Sequence, residues 1–293
     1  MDIVITYVDG LDPAWRQDYA SAMGSEALET KRFRDWGTLK YLLRGIEKNM
    51  PFIRKVFLVV SRESQVPFWV DREKVGIVLH RDIIPSEYLP TFNCNTIELF
   101  IHRIPDLGEE FLYFNDDIFP VRFTAETDFF REGKPVVWHR RCLFAPNLYK
   151  KMALGTDRLA RKAAGAAPGP FFVRPQHTLH AARKSWCEDM FREMEEDLLS
   201  SLSRVREEKN ILYYIYSDCL YYRGLVERRK ISNKHFSLAA ASISSIERFL
   251  LQPTSDFVCI NDVSMSDDRF ESTRRALLNA FDCLLPQKSK YEL

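Results

Sequence analysis

Two adjacent carboxylates follow a short apolar run near the middle of the chain. Asp116 and Asp117 come directly after Asn115 and the run 111–114, which has no polar face and is too short for a helix. A buried strand that ends in two acids is costly unless solvent, a helix terminus or a cation compensates their charge. The pair is therefore a candidate cation site, with a solvated turn or a helix cap as the alternative.

Other polar residues also follow apolar runs. Asp9 comes after the run 3–8, and His80 and Asp82 come after the run 75–79. In open α/β sheets, ligands bind at the carboxyl ends of the strands. We therefore expect these three side chains to converge with the asparagine and the acid pair at one edge of a sheet.

Helical patterns separate these apolar runs. Residues 35–49 carry apolar side chains on one face, as an amphipathic helix does. The segment 97–104 has the same spacing, and it follows an N-terminal capping pattern, Asn95 with Glu98, and stops at Pro105. Strands that alternate with helices predict right-handed crossovers, and hence an α/β fold with a mostly parallel, Rossmann-like sheet.

The part of the chain after residue 140 is richer in helical patterns. A capping box of Ser185 and Glu188 predicts one helix start. Further helices are predicted over 210–224, 243–251 and 268–285, and a brief strand over 257–260. We interpret residues 140–255 as a helical insertion, followed by a return strand and a closing helix.

Residues 133–187 are strongly basic. They contain eleven lysines and arginines and a single acid, Asp157, together with a small-residue tract at 163–170 that is typical of a mobile loop. A polyanion is the natural partner of such a block, either a phosphate-rich substrate or an anionic membrane surface. The alternative is a basic surface that balances the acidic helix beginning near Glu188.

Composition excludes several classes of protein. The chain has 293 residues, 46% of them hydrophobic and 28% charged, and its net charge of +1 excludes a globally basic nucleic-acid binder. Neither GxGxxG nor GxxxxGK[ST] occurs, so motifs support neither a dinucleotide fold nor a P-loop. Six scattered cysteines without a CxxC pair argue against a zinc site or a disulfide framework. With no signal peptide or membrane-spanning run, we expect a cytoplasmic protein.

Four blocks of the sequence resemble the Stealth family of sugar-phosphate transferases. The first is DIVITYVDGLDPAW at 2–15, and the second, the longest, covers 32–60 and 89–119. The third resembles HTLHAARKS at 177–185 with the later Arg206, and the fourth is VCINDV at 258–263. The chain departs from the family at 180–182, where prolines and a phenylalanine are common, and at Val263, where an asparagine is common.

The resemblance implies a GT-A-like fold and a specific reaction. A sugar-1-phosphate would move from a nucleotide-diphosphate sugar, of the UDP-N-acetylhexosamine type, to a hydroxyl of a glycan or lipid-linked glycan. A phosphodiester would form and a nucleoside monophosphate would leave, in the synthesis of a cell-surface polysaccharide. Such a transfer depends on positioning and charge neutralisation, for which the family implies Mg²⁺ or Mn²⁺. The expected location is cytoplasmic, with peripheral contact to an anionic inner membrane face and no nucleic-acid partner.

The resemblance also assigns roles to residues. His177 would be the general base or a phosphate contact, and Arg206 would contact the diphosphate; a structural histidine and an ordinary salt bridge are the alternatives. The metal ligands would be Asp116, Asp117 and Asp262, with Asp117 also counted as catalytic. The expected donor contacts are Asp9, Arg34, Asn93, Arg103, Asn115 and Asn261.

Some of these residues have a simpler structural reading. Asp9 is alternatively a turn-forming aspartate, and Asp35 is expected to cap the helix 35–49. Asn95 is read as a cap, and His102 is expected to be structural.

We expect one catalytic domain over 1–293. Residues 1–139 would bind the nucleotide sugar, 140–255 would form a helical acceptor or lid insertion, and 256–293 would complete the site. Two other functions use the same features. A metal-dependent glycosyltransferase would use the same carboxylates and release a nucleoside diphosphate, and a non-catalytic polyanion-binding protein would use only the basic block.

Overall fold

The computed structural model describes residues 1–24 and 33–293, so Arg32, where the second block begins, lies outside the described residues. The strands are β1 Asp2–Thr6, β2 Lys55–Val60, β3 Val75–Leu79, β4 Glu110–Asn115, β5 Ile118–Pro120, β6 Phe130–Arg131, β7 Lys134–Pro135, β8 His139–Cys142, β9 Phe172–Pro175, β10 His180–Arg183, β11 Asn233–Ser237 and β12 Phe257–Asn261. The α-helices are α1 Pro13–Met23, α2 Leu39–Asn49, α3 His80–Ile83, α4 Cys94–Glu98, α5 Leu148–Ala163, α6 Lys184–Glu193, α7 Glu195–Ser201, α8 Ile215–Tyr222, α9 Ile243–Leu251 and α10 Asp267–Leu284.

The largest sheet has five strands in the order β10–β4–β1–β2–β3. It is a mixed sheet, because β10 runs antiparallel to β4. A three-stranded sheet has the order β11–β12–β5, in which β11 and β12 are parallel and β5 is antiparallel to β12. The predicted α/β fold class is therefore confirmed. The segment 140–255 contains helices α5 to α9, as predicted, but also strands β8 to β11.

The chain divides into two compact units, which we call the first and second units. The first unit consists of Met1–Val4, Val78–Tyr113 and Thr127–Ile231, and the second of Ile5–Ile77, Phe114–Glu126 and Ser232–Leu293. Among the described residues, no helix has both the length and the apolar character that a membrane span requires.

The core of the second unit is built on α2. Its apolar face, which includes Leu42 and Ile46, is buried as the spacing predicts. Gly45 lets this helix approach β5, since a Cβ there would lie 2.5 Å from the carbonyl oxygen of Pro120. Arg44 on the same helix donates to both carboxylate oxygens of Glu292, at 2.8 and 2.9 Å, and so ties down the carboxyl terminus.

The core of the first unit lies where α5 packs against β9. Met152 and Ala153 of α5 form a buried cluster with Phe172, Leu212 and Tyr214. These residues are buried because the apolar face of α5 follows the helical period, whereas its other face carries lysines and arginines.

The predicted cap at Asn95 is wrong. Asn93 is the N-cap of α4, and its side chain accepts a hydrogen bond from the Asn95 backbone. Glu98 does not reach back to the cap, because its carboxylate accepts a hydrogen bond from Tyr113 Oη at 2.8 Å. The predicted helix 97–104 is also interrupted: α4 ends at Glu98, and a single 3₁₀ turn follows at Ile101–Arg103.

The predicted capping box of Ser185 and Glu188 is also wrong, whereas an aspartate caps the first helix. The Ser185 hydroxyl donates to Glu109 Oε1 at 2.6 Å instead of capping, because β10 leads directly into α6 at Lys184. Asp12 is the N-cap of α1, and its carboxylate accepts from the Ala14 backbone N–H at 2.8 Å.

Candidate functional site

The carboxyl end of β1 carries the first part of an acidic cluster in the second unit. Tyr7 is buried there, and burial together with the charges of Asp35, Asp9 and Asp116 raises the pKa of its hydroxyl. Asp117 lies beside Asp116, and its negative charge contributes to raising the pKa of Asp116. We call Tyr7, Asp9, Asp35, Asp116 and Asp117 the acidic cluster.

A glycine brings two segments of this cluster together. The backbone N–H of Gly10 donates to the carbonyl of Phe33 at 2.8 Å. A Cβ on Gly10 would lie 2.1 Å from that carbonyl oxygen, so only glycine allows the segment after Phe33 to approach the end of β1. The side chain of Gln65 binds the backbone just after β1. Its Oε1 accepts a hydrogen bond from Asp9 N at 2.7 Å, and its Nε2 donates to Asp9 O at 2.9 Å.

Asp35 belongs to the acidic cluster and is not the predicted helix cap. Thr38 is the N-cap of α2, and Asp35 instead accepts a hydrogen bond from Gly37 N at 2.8 Å. Burial and the charge of Asp9 raise the pKa of Asp35, although the Gly37 N–H and the charge of Arg274 partly oppose the rise. The carboxylate is thus held in a position where its ionised form is disfavoured.

Asp116 and Asp117 directly follow the buried strand that the sequence predicted, and they form the turn between β4 and β5. The residue Asp116 is exposed at the surface, yet the protein packed around its carboxyl group, and then the charges of Asp117 and Asp35, raise its pKa to about 7. Three neighbouring acids therefore repel one another at neutral pH.

The two carboxylate oxygens of Asp117 have different surroundings. Its Oδ2 accepts from the Cys259 thiol at 3.4 Å, whereas its Oδ1 is buried and has no hydrogen-bond partner among residues 1–24 and 33–293. Burial and the Asp117 charge raise the pKa of Cys259, so the thiol stays protonated and donates. A buried carboxylate oxygen without a partner is rare and calls for a ligand or an ion.

The cluster fits a divalent cation by the chemistry of its donors. Its acids offer only oxygen ligands, which Mg²⁺ and Mn²⁺ prefer, and the buried Oδ1 of Asp117 is available. A positive charge would relieve the repulsion that raises the pKa of Asp116 and Asp35.

Basic and aromatic groups lie on the segment that follows Phe33. The guanidinium of Arg34 stacks over Phe270 at 4.4 Å, and its Nη1 is buried without a hydrogen-bond partner in the described part of the chain. Trp36 packs edge-on against Phe270 and donates to Asp262 Oδ2 at 3.0 Å. An arginine held by its flat face with one donor unused is suited to bind an anion.

The predicted asparagines of this unit end two strands. Asn115 is the last residue of β4, and Asn261 is the last residue of β12; both are half-buried. Asp262 follows directly, and its Oδ1 accepts from Val263 N at 2.6 Å. The second unit therefore contains Asp9, Arg34, Asn115, Asp116, Asp117, Asn261 and Asp262 of the predicted site.

Asn93 of the first unit is fully buried and lies at the centre of a polar network. Its Nδ2 lies within hydrogen-bonding distance of four acceptors, Asn210 Oδ1 at 2.9 Å, Val205 O at 3.1 Å, and the carbonyl and hydroxyl oxygens of Ser203, both at 3.2 Å. Its Oδ1 caps α4 through Asn95 N. We call these residues the Asn93 network; its bonds hold the loop 203–210 against α4.

Three more predicted residues lie in the first unit. Arg206 is exposed and donates to Cys94 Sγ at 2.8 Å. Arg103 is also exposed and stacks over Phe100 at 4.8 Å and Phe191. His177 is half-buried in the turn before β10.

His102 and His80, which were both singled out in the sequence, have buried rings. His102 packs against Phe191 and Tyr216, and burial lowers its pKa to about 3. His80 is buried at the start of α3, where Asp82 accepts a hydrogen bond from Leu79 N at 2.8 Å. His102 is thus structural, as expected.

Several residues of the second unit that lie in or near the acidic cluster were not among the predicted site residues. Tyr7 lies in the apolar run 3–8, two positions before Asp9, so its position near that acid was visible in the sequence. Arg274 and Phe270 lie one helical turn apart on α10, but nothing in the sequence connects them to Arg34 or Asp35. Cys259 is one of six scattered cysteines, and only the pairing of β12 with β5 brings it to Asp117.

The family model for "Stealth protein CR2, conserved region 2" matches residues 32–137. The capsular polysaccharide phosphotransferase fcs1 of Haemophilus influenzae is 30% identical over 300 residues, which cover 92% of this chain and 80% of fcs1. The chain belongs to the Stealth family. The exopolysaccharide phosphotransferase cps2G of Lactiplantibacillus plantarum is 29% identical, with coverage of 100% and 96%.

A shorter match has higher identity. The receptor polysaccharide phosphotransferase WefC of Streptococcus oralis is 45% identical over 142 residues, which are 45% of this Stealth chain and 42% of WefC. The match thus spans less than half the length of that relative.

Solved structures share only a distant likeness with this Stealth chain. The galactosyltransferase LgtC, solved with donor and acceptor sugar analogues, has a TM-score of 0.43 and 13% identity, covering 99% of this chain and 98% of LgtC. The glycosyltransferase GlyE of Streptococcus pneumoniae has a TM-score of 0.44 and 13% identity, covering 99% and 66%. Scores of this size carry no argument about the fold or the reaction.

Proposed function

We propose that the chain transfers a sugar-1-phosphate from a nucleotide-diphosphate sugar to a hydroxyl of a glycan acceptor. Family membership supports the reaction class, because the matched relatives are named polysaccharide phosphotransferases. The observation that carries the proposal is the acidic cluster, in which acids repel one another and the buried Oδ1 of Asp117 has no partner in the described chain. Such a group is stabilised by a cation that also binds a diphosphate.

The reaction breaks one bond and forms another at the same phosphorus. The acceptor oxygen attacks the β-phosphorus and forms a P–O bond, while the bond from that phosphorus to the bridging oxygen breaks. The nucleoside monophosphate leaves with the bridging oxygen, and the hydroxyl proton passes to a base. The glycosidic bond of the donor stays intact, so the product is a phosphodiester.

Asp116, Asp117 and Asp262 are proposed to hold a divalent cation, Mg²⁺ or Mn²⁺, which supplies charge neutralisation at the phosphate oxygens. Arg34 would bind a donor phosphate through its unused Nη1, and the stack on Phe270 would keep the guanidinium in place. Asp9, with Asn115 and Asn261, would contact the sugar or the nucleotide.

Residues of the first unit complete the proposal. His177 is proposed to accept the proton of the attacking hydroxyl, and Arg206 to contact the diphosphate. Asn93 and Arg103 remain predictions as donor contacts; the bonds of Asn93 describe a residue that holds a loop. The domain roles, with 1–139 binding the donor and 140–255 the acceptor, belong to the same proposal.

The acceptor would be a glycan or a lipid-linked glycan of a growing cell-surface polysaccharide. A lipid-linked acceptor is held at a membrane, so the proposal includes a cytoplasmic enzyme that contacts the inner membrane face.

A product assay tests the reaction. The purified chain is incubated with UDP-N-acetylglucosamine or UDP-N-acetylgalactosamine, a glycan acceptor and Mg²⁺, and the nucleotides are separated by anion-exchange chromatography. We expect UMP and an acceptor carrying a phosphodiester, visible by ³¹P NMR. UDP as the sole nucleotide product would instead establish the competing glycosyltransferase reaction, and a chelator should stop turnover if a cation is required.

A further inference from the structure

A cluster of exposed apolar side chains lies at one end of the β8–β9 ribbon. The last pair of this ribbon is Cys142 with Phe172, so Leu143 and Phe171 flank it on the two strands. Phe144 follows, and Leu148 begins α5. Their exposed fractions are 50% for Leu143, 74% for Phe144, 38% for Leu148 and 44% for Phe171. We call these four residues the apolar tip.

The tip is exposed even though the backbone beneath it is well held. Ala145 and Tyr149 pack against the core of the first unit. Asn147 caps α5 by accepting from Lys150 N at 3.0 Å, and Arg161 donates to the Phe171 carbonyl at 2.8 Å. The apolar side chains therefore point outward from a fixed support, and their exposure is a built feature of this surface.

Elsewhere in the described chain, exposed large apolar side chains such as Phe68 and Phe123 occur singly along the sequence. Isolated exposed residues of that kind are normal. Four within the segment 143–148 and the adjoining strand end form a patch, which marks an interaction surface.

The residues around the tip are basic. Arg140 and Arg141 are exposed on β8, and neither forms an ion pair with any described residue. Lys150 and Lys151 lie in the first turn of α5, where Lys151 pairs with Glu208. The sequence from 133 to 187 contains no acid except Asp157, which is buried and paired with Arg161. Arg140, Arg141, Lys150 and Lys151 are the basic flank.

We propose that the apolar tip and the basic flank dock the protein on an anionic lipid bilayer. Phenylalanine and leucine side chains enter the boundary between head groups and acyl chains, and arginines beside them bind anionic head groups. A soluble polyanion would use the arginines but leave the four apolar side chains exposed to water. An anionic lipid surface matches both the charge and the apolar character of the patch.

This inference deepens the proposed function, since it rests on an acceptor held at a membrane. It assigns the membrane contact to the β8–β9 ribbon and the start of α5. Because its test measures binding without turnover, its failure and the failure of the transferase proposal are distinguishable.

Vesicle sedimentation tests the proposal with the full chain. Vesicles of phosphatidylcholine alone are compared with vesicles containing phosphatidylglycerol, at low and at high salt. We expect binding only to the anionic vesicles and weaker binding at high salt. Arg140→Ser with Arg141→Ser should weaken binding at least about tenfold, since each arginine contributes about a fivefold factor. Phe144→Ser with Phe171→Ser should weaken it by at least about tenfold as well.

Matched controls use exposed residues outside the patch. Lys74→Ser with Arg81→Ser removes the same charge, and Phe68→Ser removes an aromatic ring that is 92% exposed. Both should leave vesicle binding within about twofold, and circular dichroism should show all variants folded.

Three results would overturn the proposal. One is equal binding to neutral and anionic vesicles, or binding to neither. The second is an equal loss of binding in the control variants. The third is tight binding to inorganic polyphosphate, with vesicle binding that Phe144→Ser and Phe171→Ser leave unchanged, which would make the surface a polyanion site.

Discussion

The acidic cluster of the second unit and the Asn93 network of the first unit differ in how far their polar groups are paired by hydrogen bonds. In the network, the amide of Asn93 meets acceptors from Ser203, Val205 and Asn210, and its carbonyl oxygen caps a helix. In the cluster, burial and neighbouring acids raise the pKa of Asp116 and of Asp35, and Asp117 keeps a buried oxygen without a partner in the described residues. Polar groups that hydrogen-bond to one another stabilise the fold. Like charges held close together, and buried polar atoms without a partner, are instead suited to bind a ligand.

The largest expected effect is a loss of turnover when one of the repelling charges of the acidic cluster is removed. Asp117→Asn keeps the shape of the side chain but removes the charge that the proposed cation needs. We expect turnover to fall about a thousandfold, with a thermal midpoint no lower than that of the wild type, because repulsion with Asp116 is relieved. Product formation and calorimetry measure the two quantities.

Glu73→Gln is the matched control, because it replaces an exposed carboxylate of the same unit by an amide. It should change neither quantity. A large loss of stability in Asp117→Asn, with turnover retained, would place Asp117 among the structural residues and remove the contrast between the two regions.

The Asn93 network should respond in the opposite way. Asn93→Ala removes the cap of α4 and the hydrogen bonds by which the Asn93 amide ties residues 203–210 to that helix. We expect a loss of about 3 kcal/mol in the free energy of unfolding, measured by urea denaturation.

The exposed cap of α5 supplies the comparison: Asn147→Ala should cost about 1 kcal/mol. If Asn93→Ala unfolds no more easily than Asn147→Ala but fails to bind the nucleotide sugar, then Asn93 is a donor contact and the network is part of the site.

The smallest expected effect is a pH dependence of stability from a buried histidine of the first unit. Burial lowers the folded-state pKa of His102 to about 3, below its ordinary value of 6.5. The unfolded chain therefore binds more protons as the pH falls below 6.5, and the free energy of unfolding should decrease by about 1.4 kcal/mol per pH unit from this residue.

His80 and His180 are also buried, and burial lowers the pKa of each. His102→Gln should therefore reduce the slope between pH 6.5 and 4.5 by about 1.4 kcal/mol per pH unit, as measured by urea denaturation at each pH. His235→Gln, at an exposed histidine of the second unit, should leave the slope as it is. A slope in His102→Gln equal to that of the wild type would show that His102 does not contribute to the pH dependence.

Much of the central architecture was predictable from apolar runs. Strands β3 and β4 lie at the predicted runs 75–79 and 111–114, and helix α2 lies within the predicted helix 35–49. Helix caps were less predictable. Asn95 and Ser185 are residue types that often cap helices, but Asn93 is the N-cap of α4, and α6 begins directly after β10 without a side-chain cap. A capping pattern states only which side chains are able to cap, and tertiary partners such as Tyr113 and Glu109 compete for them.

The candidate site was predictable in part for the same reason. Asp9, Asp116 and Asp117 follow buried strands, and the sequence shows this directly. The contributions of Tyr7, Cys259 and Arg274 depend on pairings between distant segments, which no local pattern encodes.

The amino-acid sequence by itself determined which segments are buried strands and helices, because apolar periodicity is a local property. It also determined that acids follow the apolar run 111–114 and that the block 133–187 is basic. Only the tertiary structure decided which of those charges are compensated. The energy of a buried polar group depends on what the fold places next to it. Here the fold gives Asn93 partners and, among residues 1–24 and 33–293, leaves one oxygen of Asp117 without a partner.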